Sequence, residues 1–154
     1  MIITLGRFPT HIQTSKYKFK KINGNLIWAT TNHFIRAKIK EQISSFIIPF
    51  LPEIVFPYPV EIEMEFHVPW NYNTVQMRKG RIIWKNETNF PNNQKWDVGN
   101  YGMVWDKAFL DCIVEKGLLP DDSVTYIRSS GKVTFFPVNS LEERKIVFII
   151  KKYK

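Results

Sequence analysis

No acidic residue occurs in the first forty positions of this chain, and no aspartate before position 97. Cysteine is nearly absent as well. The single thiol, Cys112, excludes an intrachain disulfide and fits a reducing compartment. It stands among Phe109, Leu110, Ile113 and Val114, the setting of a buried structural thiol rather than a nucleophile. The three histidines, His11, His33 and His67, stand in no ligand spacing, which argues against zinc. Long apolar runs are lacking too. The greasiest stretch, Phe46 to Val60, is broken by Pro49, Pro52, Pro57 and Pro59 and contains Glu53. It is shorter than the roughly 20 apolar residues that a spanning helix needs. With no secretory signal visible, the expectation is a soluble protein of the cytoplasm.

What is present is positive charge. Twenty-two Lys and Arg oppose fourteen Asp and Glu, for a formal net charge of +8. A small basic domain commonly meets polyanions, because Lys and Arg neutralise phosphates and release counterions. The distribution says more than the total. Residues 1 to 40 carry eight basic side chains, among them Lys16, Lys18, Lys20 and Lys21. All five aspartates (Asp97, Asp106, Asp111, Asp121, Asp122) fall in one short window. An acidic centre in a basic frame suits an enzyme that holds phosphates and cuts them with a metal. Helix ends and turns account for Asp97 and Asp121, but not for the whole set.

The pattern predicts an α+β fold with a mainly antiparallel sheet and at least two helices. Ile2 to Leu5 reads as a short strand. The segment Ser15 to Lys21 interleaves cations with aromatics, and reads equally as a nucleic-acid grip or as a lysine-guarded edge strand. Asn25 to Thr30 reads as another strand. Thr31 or Asn32 caps a helix to about Ile47, with Ile35, Ile39, Ile43 and Phe46 on one face. Lys38 and Lys40 lie off that face and are expected to be solvated.

From Pro59 to Pro69, Val60, Ile62, Met64, Phe66 and Val68 alternate with Glu61, Glu63, Glu65 and His67. Period two predicts a strand with the first set on a core and the second towards water. Val75 to Arg78 and Arg81 to Lys85 read as a hairpin, and Asn86 to Lys95 as a loop. A helix follows to about Lys116, ended by Gly117. Ser123 to Ser129 and Lys132 to Val138 are expected to form a second hairpin around Ser130-Gly131. Arg144 to Tyr153 reads as a closing strand.

The helix before Gly117 carries the chemistry. Asp97, Asn100, Val104, Lys107 and Asp111 follow at spacings of three and four, one stripe of a helix. Tyr101, Trp105, Ala108 and Cys112 form the neighbouring stripe and supply apolar packing.

Here the chain resembles the RusA family of Holliday junction resolvases, the crossover junction endodeoxyribonucleases. That family carries an Asp-x-Asp-Asn box, a Lys, an Asp, a Gly and then an Asp-Asp pair before a strand. Asp97-Val98-Gly99-Asn100 is similar to the box. Lys107, Asp111 and Gly117 fill the next positions, and Asp121-Asp122 matches the acidic pair. The likeness covers roughly the last 95 residues, so one domain over 1–154 is expected, with a basic N-terminal part (1–58) and a catalytic core (59–154). Two departures stand out. Gly99 replaces the second aspartate of the box, and four extra residues, about one helical turn, separate Asn100 from Lys107.

The resemblance implies a metal-dependent, structure-selective endodeoxyribonuclease that resolves four-way junctions in DNA recombination and repair by paired nicks. Asp97, Asp122 and Asp121 would hold Mg2+, for which Mn2+ is expected to substitute. Lys107 would neutralise charge on the phosphate, and Asn100 would orient a ligand or the phosphate. Lys16, Lys18, Lys20 and Lys21 are the candidate DNA-binding lysines. Branched DNA and a second copy of the chain are the expected partners, in a bacterial cell and in many cases on a phage or prophage. A straight helix from Val98 to Lys116 would span about 28 Å. Asp97 and Asp122 at its two ends could not share an ion, so either the glycines break the helix or two chains build composite sites. Two competing readings remain: a catalytically degenerate RusA-like DNA-binding protein, and a module for single-stranded nucleic acid using Trp70, Tyr72, Trp84 and Trp96.

Overall fold

A computed structural model describes residues 1–16, 18–22, 32–69, 75–78, 81–84 and 98–154 of the chain. The architecture is α+β. Among the described residues the strands run as β1 (Ile2–Gly6), β2 (His11–Ser15), β3 (Lys18–Lys21), β4 (Val60–Pro69), β5 (Val75–Arg78), β6 (Arg81–Trp84), β7 (Ile127–Val138) and β8 (Lys145–Lys152). The α-helices among them are α1 (His33–Ile47) and α2 (Val98–Glu115).

Strand β4 organises the sheet, and its alternation is the reason. Val60, Ile62, Met64, Phe66 and Val68 are all buried, while Glu61, Glu63, Glu65 and His67 are half-buried on the other face. That second face is quietened by pairing. Glu63 takes Lys132 at 2.9 Å and Lys151 at 2.8 Å, and Glu65 takes His67 at 3.1 Å. The first set meets Ile146, Phe148 and Ile150 of β8 in antiparallel register, Phe66 opposite Ile146 and Met64 opposite Phe148.

The four-stranded sheet has the order β1-β8-β4-β7. It is mainly antiparallel, as expected, with one parallel pairing: β1–β8 and β8–β4 are antiparallel, and β4–β7 is parallel. The expected hairpin around Ser130-Gly131 does not form. Ser123 closes a turn by accepting from the N–H groups of Tyr126 and Ile127, and one strand then runs without reversal to Val138. Ser130-Gly131 lies inside that strand, at the register shift between Glu61↔Ser129 and Glu63↔Lys132. Gly131 has φ +76°, so the residues that looked like a turn make a β-bulge instead.

Other expectations hold. β5 and β6 form the hairpin, with Val75 opposite Trp84 and Arg78 opposite Arg81. β2 and β3 pair as a separate antiparallel ribbon, of which the sequence reading named only Ser15 to Lys21, as an edge strand or a nucleic-acid grip. Asn32 caps α1, its Oδ1 accepting from Phe34 N at 3.0 Å and Ile35 N at 3.3 Å. Such a cap contributes about 1 kcal/mol. Ile39, Ile43 and Ile47 bury the inner face of α1, with Ile35 and Phe46 partly covered. The expected strand Asn25 to Thr30 and loop Asn86 to Lys95 lie outside the described residues.

Helix α2 lies on the apolar face of the sheet. Phe109 stacks on Phe148 with ring centroids 3.8 Å apart, and Trp105 meets Phe8 edge-on at 5.5 Å. Phe8 in turn meets Phe66 edge-on, and Phe66 stacks on Phe135 of β7. Each of the fully buried rings removes enough apolar surface to contribute about 2–3 kcal/mol. Gly102 permits close approach: a Cβ there would stand 2.6 Å from Val133 Cγ2 of β7. Among the described residues no helix is long and apolar enough to cross a membrane.

Candidate functional site

Helix α2 ends in a glycine-terminated Schellman motif. Gly117 has φ +74°, its N–H donates to Val114 O, and Leu118 N–H donates to Ile113 O. Leu118 and Leu119 are buried, and Leu118 O accepts from Phe56 N at 2.9 Å. The chain is thereby anchored just past the helix and turned back along it. This return brings Asp122 beside the middle of α2.

Lys107 is the centre of the resulting cluster. Its Nζ donates to Asp111 Oδ1 at 2.8 Å, one helical turn on, and to Asp122 Oδ2 at 2.8 Å. Asp111 Oδ2 also lies 4.0 Å from Lys40 Nζ on α1. Asp121 Oδ1 accepts from the Asp122 N–H at 2.8 Å, which fixes the turn that carries both aspartates. Asp111 and Asp122 hold the Lys107 ammonium well above its usual pKa. Lys107 in return holds the Asp122 carboxyl below the ordinary aspartate value. Near neutrality Lys107 and Asp122 therefore face each other as a cation and an anion.

Asp106 behaves in the opposite way. It leaves α2 on the sheet side, where its Oδ2 accepts from Ser130 Oγ at 3.3 Å. Burial raises its pKa, against the hydrogen bonds from Ser130 and the Gly131 backbone. Its Oδ1 is buried and has no hydrogen-bond partner among the described residues. Asp106 thus belongs to the contact between α2 and the β7 bulge, away from the partners of Lys107.

The expected helical stripe is partly realised. Tyr101, Trp105 and Cys112 are buried as expected of the apolar stripe, and so is Val104 from the polar one. Burial raises the pKa of the Cys112 thiol, despite a hydrogen bond with Ser44, as befits a structural cysteine. α2 runs unbroken from Val98 to Glu115, so the glycines do not interrupt it. Asp122, however, sits at the middle of the helix rather than beyond its C-terminal end. From Val98 to Lys107 the rise is about 14 Å, half the separation expected.

Of the sequence-predicted site residues, Lys107, Asp121 and Asp122 come together. Asp97 lies outside the described residues. Asn100 is placed on the first turn of α2 by its backbone alone. Lys18, Lys20 and Lys21 lie on β3, and Lys16 is exposed just before it. Trp70, Tyr72 and Trp96 lie outside the described residues, and Trp84 ends β6.

Sequence reasoning missed Lys40 as a member of the cluster. The helical wheel put it off the core face, which it is, but could not show that α2 packs there. Lys40–Asp111 and Phe46–Trp105 are contacts between the two helices, and they run in opposite chain directions. The helices are therefore antiparallel neighbours. A groove of about 510 Å3 opens between them, lined by both helices and reaching Lys107 and Asp111.

The donor chemistry suits a hard cation. Mg2+ is usually held by one or two carboxylates and keeps several waters for the rest of its shell. Asp121 and Asp122, adjacent on an exposed turn, supply that kind of ligand. Among the described residues, no group of three or more His, Cys, Asp or Glu side chains is arranged to hold a metal. Neither protein-family models nor curated proteins give a match to this chain.

Proposed function

We propose that this protein is a RusA-like, metal-dependent, structure-selective endodeoxyribonuclease that nicks four-way DNA junctions. The observation that supports this reading best is the Lys107 cluster. The motif names Lys107, Asp111 and Asp122 across fifteen positions of sequence, and all three meet within 2.8 Å contacts.

In this reading the chain's own groups act as follows. The Asp121-Asp122 turn would hold the metal, with Asp97 as a further ligand from the family resemblance. Bound Mg2+ or Mn2+ supplies activation of the attacking water and stabilisation of the leaving oxygen. Lys107 stays charged throughout and offers its ammonium to the phosphate as negative charge builds there. Asp111, itself beside Lys40, holds that ammonium in place together with Asp122. Asn100, on the first turn of α2, orients the phosphate, and Lys16, Lys18, Lys20 and Lys21 track the DNA backbone. A homodimer suits both the two-fold symmetry of a junction and the roughly 14 Å that remain between the start of α2 and Lys107.

A second reading, a RusA-like protein that binds junctions without cutting them, is favoured by Gly99 and by the single lysine that already neutralises Asp111 and Asp122. One assay separates the two. Purified protein is incubated with a labelled four-way junction and Mg2+ or Mn2+, beside Asp122→Asn and with single-stranded competitor. Symmetric nicks that vanish in Asp122→Asn support the nuclease. Tight junction binding without nicks under either metal supports the binding protein. Equal binding to linear single strands would overturn both.

A further inference from the structure

The groove between α1 and α2 shares three residues, Lys40, Lys107 and Asp111, with the Lys107 cluster and is otherwise unused by the mechanism above. Its volume, about 510 Å3, lies in the range of pockets that enclose small organic ligands. The apolar part is built by Ile43, Ile48, Met103 and Val104. Met103 is 48% exposed, a large thioether left bare on the second turn of α2. The polar part carries Arg36 and Lys40 from α1 and Lys107 from α2. Three acids, Glu41, Asp111 and Glu115, share that part, but Asp111 is already neutralised by Lys107 and Lys40.

An occupant that satisfies both parts has a flat apolar face and an attached anion. A nucleotide has both. Its base would lie on Met103 and the isoleucines, since a polarizable sulfur packs favourably on an aromatic ring. Its phosphate would meet Lys40 and Lys107, which places it at the cluster already assigned to phosphate. A duplex cannot offer such a base without unstacking it, at a cost of a few kcal/mol that is smallest where pairing is already interrupted. A branch point is such a place.

We propose that the α1–α2 groove takes up a nucleobase unstacked at the branch point, so that the groove reads the junction while the adjoining cluster holds its phosphate. The proposal rests on the junction-nuclease reading and adds the means of structure selection. It makes Met103 and Ser45, an exposed residue of α1 that also lines the groove, specificity-determining positions without a part in cleavage chemistry.

The test uses the full chain and four-way junctions carrying 2-aminopurine at or one step from the branch, whose fluorescence rises when the base unstacks. Binding is followed in the same samples by anisotropy, in Ca2+ so that no cutting intervenes. The expected result is a severalfold rise at a branch position and none at a position in the arms. Met103→Asp and Ser45→Trp, both at exposed positions, should abolish the rise and weaken junction binding about tenfold, with linear duplex binding unchanged. Junction binding with no rise at any branch position would overturn the proposal and leave the nuclease reading standing. A rise that survives both substitutions would likewise overturn the groove as its site. Failure to bind junctions at all would overturn the nuclease reading, and this proposal with it.

Discussion

Lys107 and Asp122 stand fifteen positions apart in the chain, and the Lys107 ammonium lies 2.8 Å from the Asp122 carboxylate. The contact spans the whole return of the chain, from the middle of α2 through Gly117 to the turn before β7. It therefore reports both how the helix ends and where the acidic pair comes to rest.

Replacing Lys107 by Met should separate function from stability. Both partners are substantially exposed, so the ion pair contributes less than about 1 kcal/mol and urea unfolding should change little. Removal of a cation that stabilises charge in the transition state costs about a hundredfold or more in rate. Single-turnover nicking of a four-way junction measures this. A loss under tenfold would count against Lys107 at the phosphate.

Two aspartates should give pH dependences of opposite sign. The Asp122 carboxyl is depressed below its ordinary 3.8, so its stabilisation is present above that value and disappears as pH falls through the folded one. The Asp106 carboxyl is raised above 3.8, so the native state holds its proton longer and stability declines as pH rises from 3.8 through the folded value. Lys107, raised above 10.5, contributes fully below that pH and loses its contribution as pH climbs through the folded value. Urea midpoints measured across pH should show Asp122→Asn flattening the acid limb. Asp106→Asn should remove the decline above it. A steeper decline in Asp106→Asn would contradict the assigned direction.

At Gly102, alanine is the better helix former by about 1 kcal/mol, but its methyl would meet Val133 Cγ2 at 2.6 Å. Overpacking of this kind costs about 1–3 kcal/mol, so Gly102→Ala should be net destabilising. Val133→Ala in the same molecule should recover most of the loss. A double-mutant cycle in urea reads the coupling directly.

Gly117→Ala should destabilise for a different reason. No atom lies near its would-be Cβ, but φ +74° is a backbone state that alanine enters at a cost of about 1 kcal/mol. Gly117→Asn, which tolerates this region better, should lie between the two. Thermal melting of the three proteins gives the order.

Much of this structure was legible where a residue's periodicity or chemistry acts locally. The alternation Val60 to Val68 showed a one-faced strand, Asn32 marked a helix start, and Gly117 marked a helix end. The parallel direction of β7 against β4 was not legible, because side-chain alternation is the same in parallel and antiparallel ladders. Ser130-Gly131 misled for a physical reason. A glycine with positive φ serves a turn or a bulge equally well, and only the partner strand decides between them. At the site, the cluster of Lys107, Asp121 and Asp122 was foreseen as a set of residues. The Lys40 contact and the groove were not, since both depend on how α1 and α2 pack.

The bulges of β7 have a consequence for the core. From Val60 to Met64, β4 advances four residues while β7 advances six, from Ile127 to Val133. Two extra residues have been absorbed, and two is an even number. Ile127 before the shifts, and Val133 and Phe135 after them, therefore keep the same inward parity. With only one of the two shifts, this same sequence would set Lys132 opposite Met64 and Val133 opposite Glu65, sending Val133 and Phe135 to solvent and Lys132 and Thr134 into the core. The two irregularities are thus a matched pair. Deleting Gly131 alone should therefore be tolerated in register: Ser129, Ser130 and Lys132 would run opposite Glu61, Ile62 and Glu63 without the second irregularity, and Val133 would stay opposite Met64.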